Sequence, residues 1–298
     1  MSVEFLKNGF LIALVGLLSF SALGENKKDD IRIVSLSPSL TEIIFKLEKG
    51  SAMAGRSSAC DYPAEIKKIP IAGKYGAPFL ETLVHLKADI VVASSLMDIS
   101  TEKSIQSLGI KFQMLPTKDI NDYFKAVESL GEILNCKEQA ALEIARVKTG
   151  LAGFQSALNE IPETEKPLVY LELWNSPMMT VGKKSFINDY IAYAGGKNIG
   201  ASVEKEYFAC SEEWVISSNP QIIIAPSMGK SCAAEIRGRK CWINVPAVKY
   251  DRIYVDLNSN LIFRLGPRML EGIELLKSCI QAGKGTNTES NSLKSKVP

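Results

Sequence analysis

Seven apolar residues, Ala140, Ile144, Val147, Leu151, Phe154, Leu158 and Ile161, recur at intervals of 4, 3, 4, 3, 4 and 3. That spacing puts them all on one stripe of an α-helix. Asn135, with Glu138 three residues on, reads as a capping box, and Pro162 ends the pattern, so a helix is predicted over 136–161. At ~1.5 Å per residue it would run ~39 Å. What flanks it decides its role. On the N-terminal side, Ile31–Leu36 is a β-branched run. It is followed by an apolar helical pattern to about Leu47, with Ser37 or Ser39 as cap and Pro38 in the first turn. Short strands follow at Ile90–Ala93 and Ile110–Leu115, and the first is preceded by a helical stretch, Leu80–Leu86. On the C-terminal side the alternation restarts, with strands near Leu168–Leu173, Gln221–Ala225 and Arg252–Val255 and a last helix from about Leu265 to Ala282.

Short strands alternating with helices imply parallel sheets covered on their faces. The fold class expected is therefore α/β: two lobes with mainly parallel sheets flanked by helices, joined by a single long rigid helix. The lobes are expected over 25–135 and 162–283, each with its own core. The polar segment 284–298 is expected as a disordered tail. A helix with one apolar stripe between two such units would brace both and oppose closure like a hinge. The plainer reading is a surface helix of one domain.

Upstream of the first strand, Phe10–Phe20 is apolar, Lys7 precedes it, and Ala22 and Gly24 offer small residues before Glu25. An 11-residue apolar run is short for a bilayer span, which takes ~20 residues. Residues 1–24 are expected as a signal peptide cleaved after Gly24, without a following cysteine for a lipid anchor, and the chain as exported to a periplasm-like space. A formal net charge of +2 gives no reason to expect nucleic acid.

An oxidising compartment would act on six cysteines, Cys60, Cys136, Cys210, Cys232, Cys241 and Cys279. Sequence alone does not fix their pairing. Cys232 with Cys241, bracketing a short polar loop, is the candidate disulfide. Cys60 and Cys210 read as buried thiols or as neighbours across a cleft mouth. His85 is the one histidine and no C-x-x-C occurs, so no metal site of several imidazoles is expected. G-x-S-x-G, P-loop and H-E-x-x-H patterns are likewise missing from the sequence, which argues against an enzyme.

Residues 81–93 (ETLVHLKADIVVA) lie in register on 213–225 (EWVISSNPQIIIA). Each copy starts with a glutamate, carries an apolar pair at its third and fourth places, and ends in an aliphatic strand and an alanine. Glu81 and Glu213 thus hold equivalent first-turn places in the two halves, where an acid offsets the helix dipole. They serve the helix starts alone, or they form a matched pair of acids for two basic sockets on a two-fold symmetric partner.

The stretches RIVSLSPSLTEIIFKL (32–47), GRSSACDYP (55–63) and LETLVHLKADIVVA (80–93) resemble the periplasmic binding proteins for vitamin B12 and iron–siderophores. SEEWVISSNPQIIIA (211–225), TVGKKSFINDYIAYAGGKNIG (180–200) and RLGPRM (264–269) extend the resemblance into the second half. It implies two α/β lobes on one rigid helix, delivery of a ligand to an ABC permease dimer, and no catalysis or bound cofactor. It also implies that Glu81 and Glu213 meet arginines of the permease. Candidate ligand contacts are Tyr62 and Tyr75 from the first lobe and Trp174, Tyr207, Asn260 and Arg264 from the second, with Arg268 in a structural role. Aromatic faces suit a broad, flat ligand: cobalamin or a related corrinoid first, haem or a ferric siderophore as the alternative, haem with Tyr62 or Tyr207 as axial ligand. The chain departs from the vitamin B12 binders at Tyr75 and Tyr207, where those carry tryptophans, and at Asn260, where they carry an acid. Ala194 stands at one cysteine position of their second-lobe disulfide. A monomer is expected.

Overall fold

The computed structural model describes residues 31–96, 98–226 and 232–282. The expected leader over 1–24 and tail over 284–298 lie outside them. The first lobe runs β1 (Ile33–Ser35), α1 (Pro38–Lys46), β2 (Met53–Ser57), β3 (Ile71–Lys74), β4 (Ala77–Pro78), α2 (Leu80–His85), β5 (Ile90–Ala93), α3 (Ser100–Ser107), β6 (Lys111–Met114) and α4 (Ile120–Ile133). Its strands form one sheet in the order β4-β3-β2-β1-β5-β6, parallel apart from the β3–β4 pair. After α5 (Lys137–Leu158) come β7 (Leu168–Asn175), β8 (Met178–Val181), α6 (Phe186–Tyr193), β9 (Lys197–Asn198), β10 (Tyr207–Ala209), α7 (Glu212–Ser218), β11 (Ile222–Ile224), α8 (Cys232–Arg237), α9 (Pro246–Lys249), β12 (Ile253–Tyr254), α10 (Ser259–Phe263) and α11 (Met269–Gln281). The second sheet is ordered β10-β8-β7-β11-β12, with β9 on β7. Its β7, β9, β11 and β12 are parallel, while β8 and β10 extend it antiparallel.

The predicted helix exists as a single unbroken α5 of 22 residues, ~33 Å at ~1.5 Å per residue. It packs on α4 of the first lobe and on α6 and α11 of the second, so it braces both. It stops at Leu158, short of the predicted Ile161, the residue that Pro162 pushes out of the α region. Its start also differs. Asn135 does not cap α5; it closes α4 with a left-handed φ of +51°. There the Cys136 amide donates to the Gly131 carbonyl at 2.8 Å and the Asn135 amide to Glu132 at 3.3 Å. This is the double backbone bond that ends many helices, and asparagine tolerates the turn it requires.

The expectation of a separate core in each lobe gives way to a shared one. One buried cluster joins α1 residues such as Leu40 and Ile44, the α5 residues Val147 and Leu151, and β7 and α11 residues such as Leu171 and Ile273. Each lobe adds a smaller cluster behind its sheet, around Val91 in the first and around Trp242 in the second.

The repeat is structural as well as sequential. Leu83 and Val215 are both fully buried, as are Ala93 and Ala225 at the strand ends. Lys87 (φ +48°) and Asn219 (φ +52°), 132 residues apart like every pair in the register, both turn left-handed after their helices.

Cys232 and Cys241 are not joined; all six cysteines are free thiols. Cys232 is packed into the second-lobe cluster at the start of α8, whereas Cys241 is exposed, so the two side chains serve opposite environments. Cys60 sits in the shared core, 3.2 Å from the Ser57 and Thr41 hydroxyls. Cys210 is half-buried beside Tyr170, so the two thiols lie in different interiors. A thiol reagent at pH 8 is expected to count six thiols in the denatured chain and to label Cys241 first in the native one. Cys279 should stay silent, because burial pushes its thiol up to about 12. A denatured count of four would restore the bond.

Candidate functional site

Parallel strands deliver their C-terminal ends, and the loops that follow, to one edge of each sheet, where ligands of open α/β sheets bind. In the first lobe that edge forms one wall of a cavity of about 430 Å³ whose other wall is the second lobe, within the ~300–1,000 Å³ typical of ligand sites. Its first-lobe wall comes from the loop after β1 (Ser37, Ser39), the loop after β5 (Ser94, Ser95), Thr117 and Lys118 before α4, and Tyr75 in the β3–β4 turn. The second lobe supplies Ser185 and Phe186 at the start of α6, Glu206 and Tyr207 at β10, and Phe263 to Leu265 at the end of α10.

The first-lobe wall is a chain of hydroxyls: Thr117 to Ser39 at 3.5 Å, Ser39 to Ser37 at 3.0 Å, Ser37 to Ser94 at 2.8 Å, and Ser94 to the Tyr75 phenol at 3.2 Å. These bonds fix the Tyr75 ring while leaving the residue 45% exposed, so its face stays open to a ligand. Tyr207, 41% exposed, stands on the opposite lobe. Partial burial holds its phenol above the ordinary value, and Glu206 and Tyr75 act in the same direction.

The remaining sequence candidates are placed differently. Tyr62 lies outside this cavity, in a second one of about 370 Å³ lined also by Glu42, Arg146 and Arg268. Its ring carries the Arg268 guanidinium 3.9 Å from the centroid. Trp174 is exposed at the end of β7, its indole N–H spent on the Ser176 carbonyl at 3.0 Å. Asn260 donates its side-chain amide to Asp61 at 3.1 Å, and Arg264 donates to Asp61 at 2.5 Å and to Glu42 at 3.3 Å. Arg264 therefore lines the cavity while its charge is already matched within the protein.

These last contacts belong to a seam between the lobes that sequence reasoning missed. Glu42 of α1 is buried, and its carboxylate accepts from Arg268 Nε at 2.8 Å and Nη2 at 2.6 Å besides Arg264. Beside it, the buried Glu143 of α5 accepts from the Tyr123 hydroxyl and from Arg146, which also donates to the Pro267 carbonyl at 2.6 Å. First lobe, strut and second lobe are thus tied by charge-assisted bonds. The Arg264 guanidinium holds the Asp61 carboxyl below the usual carboxylate range. A depressed folded-state value means that this contribution is complete above the unfolded carboxyl range and fades as pH falls through the folded one. A charged residue inside the apolar run LTEIIF was the available signal for Glu42.

Glu81 and Glu213 lie away from the cavity. Each is the second residue of its short helix and exposed. Glu213 accepts from its own backbone N–H and from Ser211, which keeps its carboxyl below the ordinary range.

A ready-made cavity between two braced α/β lobes, with rings from both sides, defines a ligand-binding protein of the two-lobed type. The chain belongs to the periplasmic binding protein family, whose model matches residues 33–258. Among its relatives, the uncharacterized ABC transporter substrate-binding lipoprotein YvrC of Bacillus subtilis (strain 168) is 30% identical over 85% of this chain and 81% of its own length. The vitamin B12-binding protein of Vibrio vulnificus (strain YJ016) is 27% identical over 82% of this chain and 87% of its own. A solved structure of a possible iron-binding (periplasmic solute-binding) protein from Staphylococcus epidermidis ATCC 12228 is 28% identical, with a TM-score of 0.73 over 84% of this chain and 98% of that one. No helix among the described residues is long and apolar enough to cross a membrane.

Proposed function

We propose that the chain is the exported, monomeric substrate-binding protein of an ABC importer, and that it captures cobalamin or a related corrinoid in the inter-lobe cavity and hands it to a permease dimer without catalysing a reaction. The observation that carries this reading is the pair Tyr75 and Tyr207, presented from opposed lobes into one cavity. Two rigid aromatic faces bury a flat macrocycle with few rotors to freeze. The strut, the shared core and the seam hold the walls in place, so little of the binding free energy goes into ordering them. A 27%-identical relative that bears the name vitamin B12-binding protein supports the corrinoid.

Haem is the second reading, because a phenol is an established axial ligand to haem iron and two phenols reach the cavity. Residues 25–298, titrated separately with cyanocobalamin, haemin and a ferric siderophore by calorimetry and absorbance, should bind cyanocobalamin tightest. Haemin binding alone, with a tyrosinate-type spectrum, would replace the corrinoid by haem.

A further inference from the structure

Among the described residues, two charged side chains in the cavity wall have no partner. Lys118, on the first lobe just before α4, makes no ion pair or side-chain hydrogen bond among the described residues, and neither does the carboxylate of Glu206 beside Tyr207 on the second. They differ in this from Arg264, the other cation of the wall, which is spent on Asp61 and Glu42. The neighbouring acids are also engaged elsewhere. Asp119 caps α4 through the Asp122 amide, and Asp122 accepts from the Lys118 backbone and pairs with Lys125. A cleft that had only to hold a flat apolar face would gain nothing from an unmatched charge of each sign on opposite rims.

Resting on the corrinoid reading above, we infer that Lys118 and Glu206 determine ligand specificity by reading the polar edge of the macrocycle. Lys118 takes one anionic group, while Glu206 accepts N–H bonds from carboxamides. The pair selects a ligand edge with a single anion and several amide donors over an edge with two carboxylates. The reason is electrostatic. In a partly desolvated cleft a second ligand carboxylate meets the unneutralised Glu206, and repulsion of the wrong partner discriminates as effectively as attraction of the right one. Cyanocobalamin has the favoured edge, with one phosphodiester among primary carboxamides. Dicyanocobinamide keeps the amides and lacks the phosphate, and haemin presents two propionates.

The test is calorimetric titration of residues 25–298 and of the Lys118→Gln and Glu206→Gln variants with those three compounds. K118Q should weaken cyanocobalamin about tenfold or more, the effect of losing one charge-assisted bond, and leave dicyanocobinamide unchanged. E206Q should shift the preference toward haemin about tenfold relative to cyanocobalamin. Both side chains lie at the rim and outside the core, so the melting temperature serves as a control that should not move. If each variant changes all three ligands by the same factor, or neither changes any, the inference is wrong and the corrinoid reading stands. Coupled, equal effects of the two variants would mean that Lys118 and Glu206 pair with each other around the ligand, which also overturns it. If the unaltered protein binds neither corrinoid, both readings fail together.

Discussion

Glu42→Gln is expected to lower the melting temperature by about 10 °C. The buried carboxylate serves two guanidinium groups at once, both on the other lobe. Glutamine keeps the shape but offers one neutral acceptor and an amide that points donors at donors. Arg268, whose side chain is 14% exposed, would then be a mostly desolvated cation without a counter-ion. Removing one partner of such a buried pair costs about 3–5 kcal/mol. For a body of this size each kcal/mol moves the midpoint by ~2–4 °C. The loss falls on contacts between the lobes, and Arg264 would keep only Asp61. Thermal unfolding followed by circular dichroism reads the shift directly. A shift below about 2 °C would show that the shared apolar core alone seats the lobes and that the ionic seam is dispensable.

The parts of this protein that follow from local pattern were legible in its sequence. The stripe from Ala140 to Leu158 became α5 because a one-faced apolar repeat has no other way to bury itself. β1, β5, β7 and β11 were visible because strands covered on both faces read as mostly apolar runs. The strands that escaped notice owe their pairing to neighbours. β2 is MAGRS and β3 is IAGK, in which glycine and arginine hide a run that becomes a strand only against β1. The antiparallel β8 and β10 likewise depend on the edge of β7 that they extend.

The site divided along the same line. Tyr75 and Tyr207, which the family resemblance pointed to, both line the cavity between the lobes. Tyr62, Asn260 and Arg264 were offered by the same resemblance, yet their partners Arg268, Asp61 and Glu42 lie up to 222 residues away in sequence, and no local pattern records such a pairing. Seam and cavity share Arg264. A residue of the cavity wall is therefore also one that ties the two lobes together.

Changing Glu81 and Glu213 together to alanine should reduce ligand uptake to background while leaving ligand affinity within about twofold of the unaltered protein. The two acids occupy the same place in the two copies of the repeat, second in a short helix, exposed and outside the cavity. Neither makes an ion pair among the described residues, so their removal costs the fold little. What they offer is a pair of fixed negative charges, one per lobe, at a separation set by the strut and the shared core. The Glu213 carboxyl, hydrogen-bonded by its own amide and Ser211, stays ionised to a lower pH than a free one. Exposed Phe79, Leu80 and Val84 surround Glu81 with apolar area that would be covered on docking. Contacts of this kind act chiefly on encounter and register with the partner and weaken with salt. The single variants should therefore retain partial uptake that falls further at high ionic strength, and charge reversal to lysine should be worse than alanine. Uptake measured in cells or proteoliposomes carrying the importer, beside calorimetry on the purified protein, separates the two roles. Undiminished transport by the double variant would mean that the acids serve only the dipoles of their own helices. A fall in affinity would mean that they govern the cavity from outside it.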